Sequence, residues 1–192
     1  MRIWIFPTPR KAARALAGDL ARAIVENPRL VLGLPTGRTP IPLYRELAVL
    51  NQKGAVDFSR VTTFNLDEFL GVNPDDPCSY RAFMQQHLFD HVNLKARRIR
   101  FLDGRPADAR SECARYDQAL RRAGGIDLLL LGLGANGHIG FNEPGRALVA
   151  ETHRVTLRVA TRRANASLFG NDLASVPREA LTMGMNLAVS CS

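Results

Sequence analysis

The residues best suited to chemistry lie in three short segments, each following a run that reads as a β-strand. In PTGRTP, residues 35–40, Gly37 permits close backbone approach, Thr36 and Thr39 supply hydroxyls and Arg38 a cation, just before a helical pattern. Amides at a helix start, with hydroxyls and a guanidinium around them, suit a phosphate. The segment is not the Walker A pattern, because no Gly-Lys-Ser/Thr follows, and a plain strand-to-helix turn with Thr39 as its cap is the alternative. Asp67 and Glu68 directly follow a β-branched run. Paired carboxylates at a strand end supply a general base able to move a proton between adjacent carbons; a solvated acidic turn is the other reading.

The third segment, GANGHIGFNEPG at residues 134–145, places His138, Glu143 and Asn136 in one glycine-rich loop after the most apolar run of the chain. A carboxylate and an amide there can orient an imidazole for proton transfer, and a histidine flanked by glycines has few packing reasons to be present. A core or surface histidine is the alternative. GLGANG, residues 132–137, matches G-x-G-x-x-G, but Gly140, Pro144 and Gly145 prevent it from opening a helix, and Glu151 precedes the next strand-like run instead of ending one. A nicotinamide cofactor is therefore not expected. His87 and His91 stand at i, i+4 without a third ligand at recognisable spacing, so they read as structural and no metal site is expected.

The elements that must position these loops alternate along the chain. Strand-like runs at residues 2–6, 30–34, 61–64, 99–102, 126–133 and 154–159 are separated by helical patterns. One helix follows Thr8 with Ala12, Leu16, Leu20 and Ala23/Ile24 on one face, another carries Leu43, Leu47 and Leu50, a third is capped by Ser79, and a fourth spans residues 109–123. This alternation predicts an α/β fold, an open doubly wound and mostly parallel sheet with helices on both faces. The run 126–133 reads as a central strand buried on both faces. In such a sheet the three loops share the carboxyl edge, where ligands bind.

With 192 residues and 46% hydrophobic content, the expectation is one domain over residues 1–192 with a sizeable core. No apolar stretch approaches a membrane span and the start of the chain lacks a signal-peptide pattern, so no membrane partner and a cytoplasmic location are expected. Cys78, Cys113 and Cys191, odd in number and scattered, fit reduced thiols. The net charge of +8, from 26 Lys and Arg against 18 Asp and Glu, rests on dispersed arginines without interleaved aromatics, which excludes a base-stacking surface and nucleic acid as partner.

LGLPTGRTP (32–40), TFNLDEF (63–69) followed by Ser79-Tyr80, and GANGHIGFNEPG (134–145) together resemble the glucosamine-6-phosphate deaminase family, in order and in spacing, over nearly the whole chain. The sister 6-phosphogluconolactonases share the Asp/Asn-Gly-His core but continue differently, and a lactonase is the runner-up. The resemblance implies conversion of glucosamine 6-phosphate and water to fructose 6-phosphate and ammonium, in amino-sugar metabolism, with no metal and no organic cofactor. It implies a sugar-phosphate partner and allows a homo-oligomer. It puts Asp67 on the general base that moves a proton between C2 and C1 through an enediol-type intermediate, His138 on the residue assisting ring opening, and Glu143 with Asn136 on the pair that orients it.

The phosphate contacts implied are Thr36, Gly37, Arg38 and Thr39, with Arg162 from TRRAN at 161–165. Arg38 departs from the small residue usual there, and Asn136 stands where some members carry Asp, which removes a negative charge near His138. Members of that family continue past LTMG at 181–184 through further strands and a phosphate-binding lysine, whereas the segment 186–192 does not resemble that continuation. The expected fold is therefore incomplete at the C-terminus, and a catalytically weak sugar-phosphate binder is the alternative from another class.

Overall fold

The computed structural model of the chain describes residues 2–134 and 136–186. Its first helix, α1 (Pro9–Glu26), begins where Thr8 accepts the Lys11 amide and Pro9 occupies the first turn, both standard ways of using amides that have no helical partner. Ala13, Ala17, Leu20, Ala21 and Ile24 form its buried stripe, while Leu16 faces outward. The inward face is thus turned by one residue from the sequence expectation, because the small alanines let α1 approach α2 closely.

Strand β1 (Val31–Leu34) is buried throughout and leads through the first loop into α2 (Ile41–Gln52). Next come β2 (Thr62–Asn65) and β3 (Asp67–Phe69), divided by the single residue Leu66. The chain continues through α3 (Tyr80–His87), β4 (Ile99–Arg100), α4 (Ala109–Arg122), β5 (Leu128–Leu129), β6 (His153–Thr156), α5 (Val159–Asn165) and β7 (Glu179–Thr182). Ser79 caps α3 by accepting the Ala82 amide, and Asp108 caps α4 by accepting the Ser111 amide.

One sheet is parallel, in the order β4-β2-β1-β5. The chain builds it outward from β1 through β2 to β4 and then returns to the far side of β1 with β5. That reversal makes the β1/β5 junction the topological switch point, at whose carboxyl end such sheets bind their ligands. Leu32 and Leu34 pack into one core and Val31 into the other, on opposite faces of β1. Tyr116 of α4 stands edge-on to Phe64 of β2 at 5.6 Å and donates its hydroxyl to the Asn65 carbonyl.

The second sheet was not anticipated as a separate unit. β3, β7 and β6 form an antiparallel layer, with Asp67 opposite Thr182 and His153 opposite the same residue on the other side. Two further expectations are corrected. Residues 2–6 form no strand, and residues 2–5 lie exposed, with Ile5 at 90%, since no described strand offers them a ladder partner. The run 126–133 is not a central strand buried on both faces: only Leu128 and Leu129 pair, at the sheet edge and half-buried, and Leu133 is 77% exposed. Hydrophobic composition marked this segment correctly as strand-forming, but its second edge has no partner among the described residues.

The antiparallel layer is tied to α4 by Asp117, which is buried and accepts both the amide and the hydroxyl of Thr152 at the entrance to β6. Asp117→Ala leaves two buried donors unpaired and is expected to cost about 1–3 kcal/mol, or roughly 2–4 °C of Tm for each kcal/mol in a chain of this size. Asp117→Asn, which keeps an acceptor, loses less. Thermal melts of the three proteins check the ordering.

Candidate functional site

The two carboxylates of β3 are neighbours in sequence and divided in space, as alternation along a strand requires. Glu68 turns toward α3, where it accepts the amides of Phe69 at 2.9 Å and of Tyr80 and Arg81 at 3.0 Å. It anchors the helix start, a favourable place for an anion. Burial nevertheless pushes its carboxyl up to about 7, against the opposing pull of those amides. The pairing suggested by sequence adjacency is thus a division of labour, with Glu68 structural.

Asp67 is only 5% exposed. Burial first, and the charge of Glu68 second, push its carboxyl up to about 8, and no hydrogen bond among the described residues opposes them. Gly140 of the third loop lies directly on it: a Cβ at Gly140 would stand 3.1 Å from Asp67 Oδ2 and 3.2 Å from Thr182 Oγ1, and the residue has φ +57°. Thr182 in turn accepts the Phe141 amide, and Asn142 donates to the carbonyls of Ile139 at 3.1 Å and Met183 at 2.8 Å. The loop is thereby stitched to β7 and held over the carboxyl.

Within the third loop, Asn136 donates its amide to Glu143 Oε2 at 2.8 Å and presents its oxygen to His138 Nδ1 at 2.6 Å. An oxygen facing Nδ1 accepts, so Nδ1 carries the proton and Nε2 is the free lone pair. The imidazole is therefore not bonded directly to Glu143, as a simple dyad would have it, but through the amide between them. A Cβ at Gly134 would fall 2.2–2.4 Å from the His138 ring, so the ring rests on the bare Cα of that glycine. Glu143 also accepts the Thr161 hydroxyl of α5 and lies 3.8 Å from the Arg158 guanidinium.

The first loop stands at the carboxyl end of β1. Tyr44 donates to the Pro35 carbonyl, and Asn65 ties β2 to β1 by donating to the Leu34 carbonyl at 3.0 Å. Thr36 and Gly37 are half-buried, Arg38 and Thr39 exposed, and Gly37 has φ +96°, a conformation that favours glycine. Pro40, not Thr39, occupies the cap of α2, and no side chain caps it. That leaves both threonine hydroxyls outside the capping role.

Arg162 is placed elsewhere. Its guanidinium donates to the carbonyls of Leu173 at 2.6 Å and Val176 at 2.9 Å, bracing the segment that leads to β7 and not the first loop. Sequence reasoning gave the Tyr80 hydroxyl no role and overlooked Thr161, Asn165 and Thr182. The i, i+4 placement of Thr161 and Asn165 on one helix face was the available signal. His91 bonds the Gln86 carbonyl at 2.8 Å and His87 packs on Phe83, and no metal-binding cluster occurs among the described residues.

A family model described as glucosamine-6-phosphate isomerases/6-phosphogluconolactonase matches residues 8–168. The chain belongs to this family. It is 48% identical over 170 residues to glucosamine-6-phosphate deaminase 1 of Giardia intestinalis, covering 88% of this chain and 64% of that protein. The corresponding figures for the deaminase of Clostridium perfringens are 44% over 185 residues, 96% and 76%. The chain thus spans less than two thirds of the Giardia relative's length.

Among solved structures, a monomeric glucosamine-6-phosphate deaminase superposes with a TM-score of 0.93 at 42% identity, covering 97% of this chain and 77% of that one. The 6-phosphogluconolactonase of Thermotoga maritima, at 18% identity, shares the fold with a TM-score of 0.69 over 95% of this chain and 75% of that one. The isomerase/lactonase fold is thus present, and no described helix is long and apolar enough to cross a membrane.

The raised carboxyl of Asp67 has a consequence for stability. Below about pH 4 the group is protonated in both folded and unfolded chains and contributes nothing. As pH rises toward 8, the pKa in the folded chain, the unfolded chain ionises while the folded one keeps its proton, so stability falls. Asp67→Asn removes this loss, and its Tm advantage over the wild type is expected to widen from pH 4 to pH 8 and then level off. Melts at matched ionic strength across that range measure it.

Proposed function

We propose that this chain carries the site of an aldose–ketose isomerase that deaminates glucosamine 6-phosphate to fructose 6-phosphate and ammonium. The observation that supports this reading most is the apposition of a buried carboxyl at Asp67, with no hydrogen bond among the described residues, to the loop that holds an oriented imidazole, with Gly140 as the point of contact. The relatives named as deaminases support the same choice of substrate.

The phosphate is taken by the amides and hydroxyls of Thr36, Gly37 and Thr39, with Arg38 alongside. His138, through Nε2, exchanges a proton with the ring oxygen as the pyranose opens, while Asn136 and Glu143 keep its ring in place. Asp67 then removes the C2 proton from the open-chain aldehyde and the enolamine is reprotonated at C1. The resulting C2 imine takes up water and expels ammonia.

A carboxyl near 8 is a strong enough base for carbon acids of this kind once ionised. The cationic amino group of the substrate lowers it toward neutrality on binding, as any adjacent positive charge does. Arg162 is assigned no phosphate contact, since its donors are engaged by Leu173 and Val176; it keeps the path to β7 and hence Thr182 in place.

Assay of the purified chain for ammonium release from glucosamine 6-phosphate, beside hydrolysis of 6-phosphogluconolactone, tests the reading. Ammonium is expected and lactone hydrolysis is not. Asp67→Asn is expected to lower kcat by roughly 10²–10⁴-fold with sugar-phosphate binding retained, and kcat/KM of the wild type rises with pH up to about 8, following ionisation of Asp67. Lactone turnover without ammonium, or an Asp67→Asn protein at full speed, overturns the assignment.

A further inference from the structure

Thr182 of β7 is fully buried and stands directly opposite Asp67 of β3. Backbone bonds mark neighbouring rungs of the same ladder: Met183 donates to the Leu66 carbonyl at 2.7 Å and Leu70 to the Glu179 carbonyl at 3.0 Å. Hydrogen-bonded and open pairs alternate along an antiparallel ladder, so Asp67 and Thr182 form an open pair, whose side chains share a face and whose Cα atoms approach to about 4.5 Å. A Cβ at Gly140 would lie 3.1 Å from Asp67 Oδ2 and 3.2 Å from Thr182 Oγ1. The two oxygens therefore border one and the same point.

A hydroxyl has two lone pairs and one hydrogen. At Thr182 the Phe141 amide donates to the oxygen at 3.2 Å and the Asn142 side chain at 3.3 Å. The oxygen is thereby engaged as an acceptor, and its hydrogen has no acceptor among the described residues. A buried donor left uncommitted is costly, and this one stands opposite a buried carboxyl. We infer that Thr182 is a positioning residue for the base: its hydroxyl donates to Oδ2 of Asp67 once that carboxyl ionises, which leaves Oδ1 to take the proton from C2. The assignment rests on the isomerase reading above.

The contact belongs to one charge state. At rest the two side chains are not bonded; an ionised carboxyl is a much stronger acceptor, and a turn about its last torsion brings Oδ2 to the hydroxyl. A donor of this kind favours the charged form and offsets part of the cost of burying it. The other titratable groups around Asp67 are committed elsewhere. Glu68 turns to the start of α3. The phenols of Tyr80 and Tyr116, pushed up by burial and by the charge of Asp67, donate to Asn165 and to the Asn65 carbonyl. His153 of β6, across β7 from Asp67, turns Nδ1 to the Glu151 carbonyl at 2.8 Å.

The test uses the full chain as wild type, Thr182→Val and Thr182→Ser, with ionisation of Asp67 followed by carbon NMR of isotope-labelled aspartate and its signal assigned from Asp67→Asn. Valine keeps the shape and removes the hydroxyl; serine keeps the hydroxyl. In Thr182→Val, Asp67 is expected to ionise about one pH unit higher than in the wild type, and kcat/KM at pH 7 to fall about tenfold with it. In Thr182→Ser both are expected to stay within about twofold of the wild type. A Thr182 that served only to fasten the third loop would move the carboxyl the other way. Freeing the Phe141 amide admits water, and burial is the largest cause of the raised pKa.

A second measurement needs no variant at position 182. The hydroxyl proton of Thr182 in the wild type is expected to move downfield as pH is raised, with the same midpoint as the Asp67 carboxyl, and to stay put in Asp67→Asn. An Asp67 that ionises at the same or a lower pH in Thr182→Val, or a Thr182 hydroxyl proton that ignores the ionisation of Asp67, overturns the inference. A wild-type chain that releases no ammonium overturns the isomerase reading instead, and the two titrations, which need no turnover, still decide whether the hydroxyl serves the carboxyl.

Discussion

Burying the side chain of Asp67 with no hydrogen-bond donor among the described residues costs free energy that only the surrounding packing can supply. Unpaired buried acids relieve the cost by holding their proton more tightly, and the rise of Asp67 to about 8 is that relief. The structure sustains it by covering the carboxyl with backbone, not with a charge. Gly140 sits against one oxygen, and β7 with Thr182 lies alongside. An arginine or an amide in that place would have produced an ordinary ionised aspartate and a more stable sheet, but a much weaker base.

The same demand explains why a parallel sheet is supplemented by an antiparallel one. At the carboxyl edge of β2 the chain takes only Leu66 to pass from one sheet to the other, and Asp67 is the first residue beyond it. The parallel layer brings the loops of β1 and β5 together at the switch point. The antiparallel layer supplies the wall, Thr182 and Met183, to which the third loop is fastened. Aromatic contacts of Phe69 with Tyr80, Phe141 and Phe169 lock that wall to α3 and to the segment after α5. Chemistry is thus located at a seam between two sheets, where backbone can approach a side chain from several directions.

Much of this was legible in the residues themselves. Thr8 and Ser79 signal helix starts because their side chains accept amides, and the structure uses both. The His138 loop stood out because glycines have no packing value at the end of an apolar run. What was not legible depended on partners distant in sequence. DEF and EALT are too short and too polar to announce strands, and with HRVT they become a separate sheet only when laid side by side. Glu68 looked like half of a catalytic pair because adjacency in a sequence hides the alternation of a strand. Tyr80 stood out only as the neighbour of the Ser79 cap; its ring is core, and its hydroxyl finds its partner in Asn165, 85 residues later.

The amide between His138 and Glu143 sets a limit on how protons travel. A carboxylate in that position could accept a proton from the imidazole and pass it on; Asn136, bonded through nitrogen on one side and oxygen on the other, has no such capacity. The loop therefore fixes a direction without offering an exit. Any proton that His138 receives must enter and leave through Nε2, so the imidazole works as a single-door reservoir whose traffic is confined to the bound molecule and the solvent that accompanies it.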